Sequence, residues 1–137
     1  MSAVVVDASI IVKWFVEEEG SDEAIKIRDE YINGDMKIIA PELINFEVLN
    51  ALHYKGLFSE DELQRISEAL DAFSMELHSL RGEYAIKTIE VACKNNITVY
   101  DAAYISLAMM ENTRLYTADR KLKNKLRENY SPYVKVI

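Results

Sequence analysis

The sequence predicts an α/β fold with a central, mostly parallel sheet of about five strands flanked by helices, and two observations carry that expectation. The first is Ala3-Val4-Val5-Val6, a β-branched run without polar alternation, which is the pattern of a strand buried on both faces. The second is that strand-like and helix-like segments alternate along the chain, with no Asn-Gly hairpin signal between adjacent apolar runs. Such alternation favours parallel strands joined by right-handed helical crossovers.

Taken in order, the first run stops at Asp7, and Ile10 to Val16 is apolar nearly all round apart from Lys13, as in a short buried helix. Glu17, Glu18, Glu19 and Gly20 end it in what reads as a solvated acidic turn, and a more polar helix runs from Ser21 to about Ile32. Asn33-Gly34-Asp35 is a turn signal, and Lys37 to Ala40 reads as the second strand. Pro41 suits the first turn of a helix reaching about Lys55, with Gly56 as its stop. Ser59-Glu60-Asp61-Glu62 matches a capping box, after which Leu63, Ile66, Leu70 and Phe73 recur at helical spacing.

Met75 to Leu80 reads as a third strand, and Glu83 to Asn95 as a helix with Ala85, Ile86, Ile89, Ala92 and Cys93 on its apolar stripe. Cys93, the single cysteine, is thereby assigned to buried packing and cannot form an internal disulfide. Ile97 to Tyr100 leads as a connecting segment into Asp101, and Ala102 to Glu111 is a helix that Asn112 can close in the left-handed conformation. Arg114 to Thr117 is a fourth strand, a basic helix follows Asp119 to about Asn129, and Tyr133 to Ile137 is a fifth strand.

At 137 residues the chain is expected to form one domain, residues 1–137, with no repeat or linker to divide it. Half the residues are apolar, yet no stretch nears the roughly 20 residues of a membrane span. With nothing that looks like a signal peptide either, a cytoplasmic protein without membrane contact is expected. The net charge of -7 argues against binding nucleic acid through a general positive field. A local basic stretch, Arg120, Lys121, Lys123, Lys125 and Arg127, can still meet a phosphate backbone.

Asp7, Asp101 and Asp119 each stand where an extended or connecting segment enters a helix. Aspartate is a good N-cap, so each alone is explained by capping. Together they share an address, because parallel strands before Asp7 and Asp119 would end at one sheet edge, where ligands collect in such folds. Glu47 lies in mid-helix among Leu43, Ile44 and Ala51, without Lys or Arg three or four positions away, and Asn50 is one turn on to support it by hydrogen bonding. Four converging acids repel one another unless a cation neutralises them. Their hard oxygens, without a His or Cys cluster, select Mg²⁺ or Mn²⁺. His53 and His78 are isolated and read as structural. Carboxylate-held Mg²⁺ commonly meets substrate phosphate, so the residues point to metal-dependent phosphoryl chemistry.

V-V-V-D-A-S, P-E-L-I-N-F-E-V-L-N-A-L, V-Y-D-A-A-Y-I-S-L-A and L-Y-T-A-D-R-K-L together resemble the four acidic motifs of PIN-domain ribonucleases, in order and at the spacing of VapC-type toxins of VapBC toxin-antitoxin systems. The resemblance spans essentially the whole chain and implies a PIN-like three-layer fold. It also implies that Asp7, Glu47, Asp101 and Asp119 are the metal-binding and catalytic acids, with Ser9 and Thr117 as supporting hydroxyls. Further implications are a homodimer, Mg²⁺- or Mn²⁺-dependent endonucleolytic RNA cleavage leaving a 5′-phosphate, and a VapB-like antitoxin that blocks the site. Arg120 and Lys121 are candidates for substrate phosphate, and they stand where many PIN nucleases outside this group carry further acids. Tyr104 and Trp14 are assigned to packing rather than base stacking. Two competing readings are a phosphoacceptor domain, disfavoured because Asp7 lacks an acidic neighbour, and a PIN module that binds RNA or protein without cutting.

Overall fold

The computed structural model describes residues 2–137. In chain order the elements are β1 (Ser2–Val6), α1 (Ala8–Phe15), α2 (Ser21–Ile32), β2 (Met36–Pro41), α3 (Ile44–Lys55), α4 (Glu60–Phe73) and β3 (Glu76–His78). There follow α5 (Gly82–Asn95), α6 (Val99–Met110), β4 (Leu115–Thr117), α7 (Arg120–Lys125), a 3-10 turn (Ser131–Tyr133) and β5 (Val134–Val136). The five strands form one sheet in the order β3-β2-β1-β4-β5, and every neighbouring pair is parallel.

Successive strand residues point to opposite faces. Val5 and Val6 are both fully buried, as are Ile38 and Ala40 on one face of β2 and Ile39 on the other. Helices therefore cover both sides of the sheet, giving the expected three layers. The strand order turns back at β1, with β2 and β3 on one side and β4 and β5 on the other. The crevice beyond the carboxyl ends of β1 and β4 is thus the topological switch point, where ligands bind in open α/β sheets.

Local signals explain most helix ends. Ser59 and Glu62 form the reciprocal capping box of α4, Gly56 closes α3 at φ 70°, and Asn112 takes φ 53° after α6. Four expectations need correction. Pro41 ends β2, paired in register with His78, rather than opening the next helix. Its missing N–H does not prevent this, because the strand ends there. Thr98 caps α6, so residues 99 and 100 already belong to the helix and Asp101 lies in its first turn. The basic helix stops at Lys125, short of Asn129.

The fourth correction concerns α5. Its buried side carries Tyr84, Thr88, Val91, Ala92 and Asn95, whereas Ile86, Ile89 and Cys93 are exposed. The polar atoms on the buried side are all satisfied. Tyr84 Oη donates to the Ala103 carbonyl at 2.8 Å and Thr88 Oγ1 shares a hydrogen with Ser106 Oγ at 2.6 Å. Asn95 donates to Val91 O and accepts from Arg127 N. Polar groups paired in this way are buried at little cost, so counting apolar residues selects the wrong face.

The acidic turn after α1 is also less free than a solvated loop. Lys13, nearly buried, donates to Glu18 Oε1 at 3.1 Å and to the Glu19 carbonyl at 2.6 Å, and Lys55 reaches Glu18 from α3.

Helix α6 is the layer element that matters most for the site, because it packs on β1, β2, β4 and α5 with Ala102 to Ala108 all buried. Ile105 at its centre is fully buried. Ile105→Ala is expected to lower unfolding stability by about 2–5 kcal/mol. Urea titration followed by circular dichroism would show a lower midpoint at unchanged slope.

Candidate active site

Asp7 is the residue after β1 and the N-cap of α1. Its backbone N–H donates to the Tyr116 carbonyl of β4, which ties the two strand ends together beyond the last paired residues. Asp7 Oδ1 accepts from both Ser9 N at 3.0 Å and Ser9 Oγ at 2.5 Å, and Oδ2 accepts from the Thr117 hydroxyl. Ser9 Oγ in turn accepts from Ala118 N at 2.9 Å, and Thr117 Oγ1 from Asp119 N at 3.0 Å. The two hydroxyls therefore bolt the end of β1 to the end of β4, with Thr117 itself buried.

Asp119 caps α7 through Leu122 N at 3.0 Å and stands exposed at the mouth of the crevice. Asp101 projects from the first turn of α6, where its backbone N–H donates to the cap, Thr98 Oγ1, at 3.0 Å. Glu47, partly buried in the first turn of α3, accepts a hydrogen bond on Oε1 from the Tyr104 hydroxyl. Tyr104 is the donor found here, whereas the expected support, Asn50, is exposed and makes no hydrogen bond to Glu47 among the described residues. Asn50 stands exposed one turn on, whereas the Tyr104 hydroxyl reaches Glu47 from α6.

Burial, and for two of them a neighbouring charge, shifts three of these acids. Burial pushes the Asp7 carboxyl up to about 6, against the lowering effect of its bonds from Ser9 and Thr117. Burial also raises Asp101, and the charge of Asp119 raises it further, while Thr98 and Lys125 oppose the shift. Glu47 is raised by burial and by the charge of Asp101, with the Tyr104 hydrogen bond acting the other way. Tyr104 is raised strongly, by burial first and then by Glu47, and it also feels the charge of Asp7. Asp119, Asp101 and Glu47 thus repel along a line, while Asp7 is set by burial and its own hydrogen bonds.

No three carboxylates among the described residues crowd to direct ion-binding distance of a single point. The donor set nevertheless fits a hard divalent cation, since it offers carboxylate and hydroxyl oxygens and its charges lack an internal counterweight beyond Lys125. Mg²⁺ characteristically keeps several waters and takes only one or two carboxylates directly, which suits acids spaced in this way.

The remaining candidates divide. Arg120 and Lys121 are exposed in the first turn of α7, beside Asp119, and neither is ion-paired among the described residues. Lys123 is committed to the Val134 carbonyl at 2.7 Å. Lys125, also in the basic stretch, is the cation whose field reaches Asp101. His53 is exposed, and His78 bonds Glu76 at 2.8 Å, so neither contributes to the acids. Trp14 is buried, its indole N–H donating to the Ala24 carbonyl at 2.8 Å. Tyr104 and Thr98 are the site-forming residues that residue types alone did not reveal. The signal available for Tyr104 was its position three after Asp101, which sets both on one face of α6.

The profile of the PIN domain family matches residues 4–127. The chain belongs to the PIN-domain family. This PIN domain is 35% identical to Ribonuclease VapC3 of Pyrobaculum aerophilum over 127 residues, covering 89% of this chain and 93% of that protein. Its fold is similar to a structure of VapBC2 from Rickettsia felis bound to a promoter DNA fragment, at a TM-score of 0.66 and 12% identity, with 98% of each chain covered. It is also similar to a toxin-antitoxin complex from Klebsiella pneumoniae, at a TM-score of 0.62 and 15% identity, covering 86% of this chain and 88% of that one. At such identities the structural likeness shows the shared fold, a parallel α/β sheet flanked by helices.

The elevated Asp7 has a consequence for stability. The unfolded chain releases this proton near the ordinary value of 3.8, whereas the folded chain keeps it until about 6. Between these values the folded state binds the extra proton, so stability falls as pH rises and is lowest above about 6. Asp7→Asn is therefore expected to stabilise the metal-free protein at pH 8 by on the order of 1–3 kcal/mol. The gain should shrink towards zero below pH 4, as read by urea unfolding with a chelator present.

Proposed function

We propose that this PIN domain is a metal-dependent endoribonuclease of the VapC type, the toxin of a type II toxin-antitoxin pair, which hydrolyses RNA phosphodiester bonds with Mg²⁺ or Mn²⁺. The observation that carries the reading is that acids from four separate elements stand around the switch point, where Asp101 and Glu47 are raised first by burial and then by the charge of a neighbouring acid. Kinship with Ribonuclease VapC3 supports RNA as the substrate. A bound divalent cation supplies positive charge to the phosphate oxygens and lowers the pKa of an attacking water.

In this reading Asp7, Asp101 and Asp119 hold the cation directly or through its waters, and Glu47 completes the acidic pocket around it. Ser9 and Thr117 keep Asp7 oriented through Oδ1 and Oδ2. Glu47 orients the attacking water and accepts its proton, which needs a carboxylate near the crevice with a pKa above the ordinary range. Water adds to phosphorus, the bond to the 3′ oxygen breaks, and that oxygen leaves with a proton, giving a 5′-phosphate and a 3′-hydroxyl. Arg120 and Lys121 meet the flanking phosphates, both being exposed beside Asp119.

The same reading includes a homodimer and a VapB-like antitoxin that covers the site, in the cytoplasm where RNA is met. Exposed Phe46, Tyr54, Leu57 and Tyr100 provide apolar surface for such association. No helix among the described residues is long and apolar enough to cross a membrane.

Purified protein is expected to cut single-stranded RNA with Mg²⁺ or Mn²⁺ and to stop when the metal is chelated. Asp7→Asn or Asp101→Asn should lower cleavage about a hundredfold or more, equivalent to roughly 3 kcal/mol of barrier. Cleavage that survives both chelator and substitution would rule the mechanism out. RNA binding without any metal-dependent cleavage would favour the non-catalytic module.

A further inference from the structure

Helix α6 is buried from Ala102 to Ala108, yet one of its ring residues carries a hydroxyl into the acidic crevice. Tyr104 has 3% of its surface exposed. A phenylalanine would fill that space without a polar atom to satisfy, so the hydroxyl needs a reason beyond packing. Its hydrogen goes to Glu47 Oε1, across from α6 to α3. It also lies within range of the charge of Asp7.

Asp101 and Tyr104 share a face of α6, one turn apart, so the bond that holds Glu47 to Tyr104 also brings Glu47 alongside Asp101. Those two carboxylates repel. Without a donor between the helices, Glu47 is free to swing towards solvent, since it is only partly buried at the edge of the crevice. We infer that Tyr104 is a positioning residue for the cation site: its hydroxyl commits Glu47 Oε1 to helix α6 and leaves Oε2 as the single oxygen presented to the ion or its waters. This rests on the metal-dependent reading above and assigns Tyr104 a role towards that ion without contact with it.

The test is Mn²⁺ binding to the full chain by calorimetry, without RNA, for wild type, Tyr104→Phe, Glu47→Gln and the double variant. Tyr84→Phe is the control, because it removes another buried phenol hydroxyl, one bonded to the Ala103 carbonyl rather than to an acid. Tyr104→Phe is expected to weaken Mn²⁺ binding about tenfold, the usual scale for losing a partner of a metal ligand. Tyr84→Phe should leave binding unchanged, and the double variant should bind no more weakly than Glu47→Gln alone. In RNA cleavage at saturating Mn²⁺, Tyr104→Phe should lower kcat with KM unchanged.

The inference is overturned if Tyr104→Phe binds Mn²⁺ like wild type, if Tyr84→Phe is equally weak, or if the full tenfold loss persists in the Glu47→Gln background. An Asp101→Asn arm separates the two levels. Lost Mn²⁺ binding in Asp101→Asn with normal binding in Tyr104→Phe removes the role of Tyr104 and leaves the metal reading intact. A wild-type protein that binds no Mn²⁺ overturns both.

Discussion

Val5 and Val6 lie in parallel register with Leu115 and Tyr116, and the acidic edge of the molecule depends on that pairing. Where β1 meets β4 the sheet reverses its order, so the chain leaves both strands over a crevice that no crossover helix fills. The pairing extends one step past the strands through the bond from Asp7 N to Tyr116 O. Ser9 and Thr117 then cross-brace the two exits. A carboxylate whose burial raises its pKa to about 6 is thus fixed by three donor atoms, two of them hydroxyls held in turn by backbone N–H groups, rather than by a charged partner.

That arrangement has a stability cost and a use. Ionised Asp7 is disfavoured by burial, Asp101 by burial and then the charge of Asp119, and Glu47 by burial and then the charge of Asp101. Strain of this kind at a functional site is tolerated when the surrounding structure determines the geometry. Here the surroundings are the fully buried strand residues Val5 and Val6 and the buried run of α6. Under the proposed function a divalent cation relieves the repulsion, so binding the ion and stabilising the fold are linked.

Much of this was legible from residue order. The β-branched run before Asp7 marks a central strand, and the shared address of Asp7, Asp101 and Asp119, with Glu47 unpaired on its helix, is what residue order offers for the candidate site. What stayed hidden involves partners distant in sequence. Glu47 takes its hydrogen bond from Tyr104, 57 residues on, rather than from Asn50 on its own helix. The buried face of α5 carries Tyr84, Thr88 and Asn95, because α6 and the segment after α7 satisfy their polar atoms, and apolar periodicity cannot register that. Thr98 replaced Asp101 as the cap of α6 for a local reason, since a hydroxyl three residues before Asp101 N can accept its hydrogen.

Under the proposed function, the switch point between β1 and β4 receives a hard divalent cation among acids drawn from four separate elements. Anomalous diffraction from crystals of the protein soaked in Mn²⁺ tests it most directly. A peak is expected in the crevice bounded by Asp7, Asp101 and Asp119, with Glu47 still bonded to Tyr104 and facing the ion through its second oxygen. A peak elsewhere on the surface, or a crevice without Mn²⁺ at millimolar metal, would contradict it.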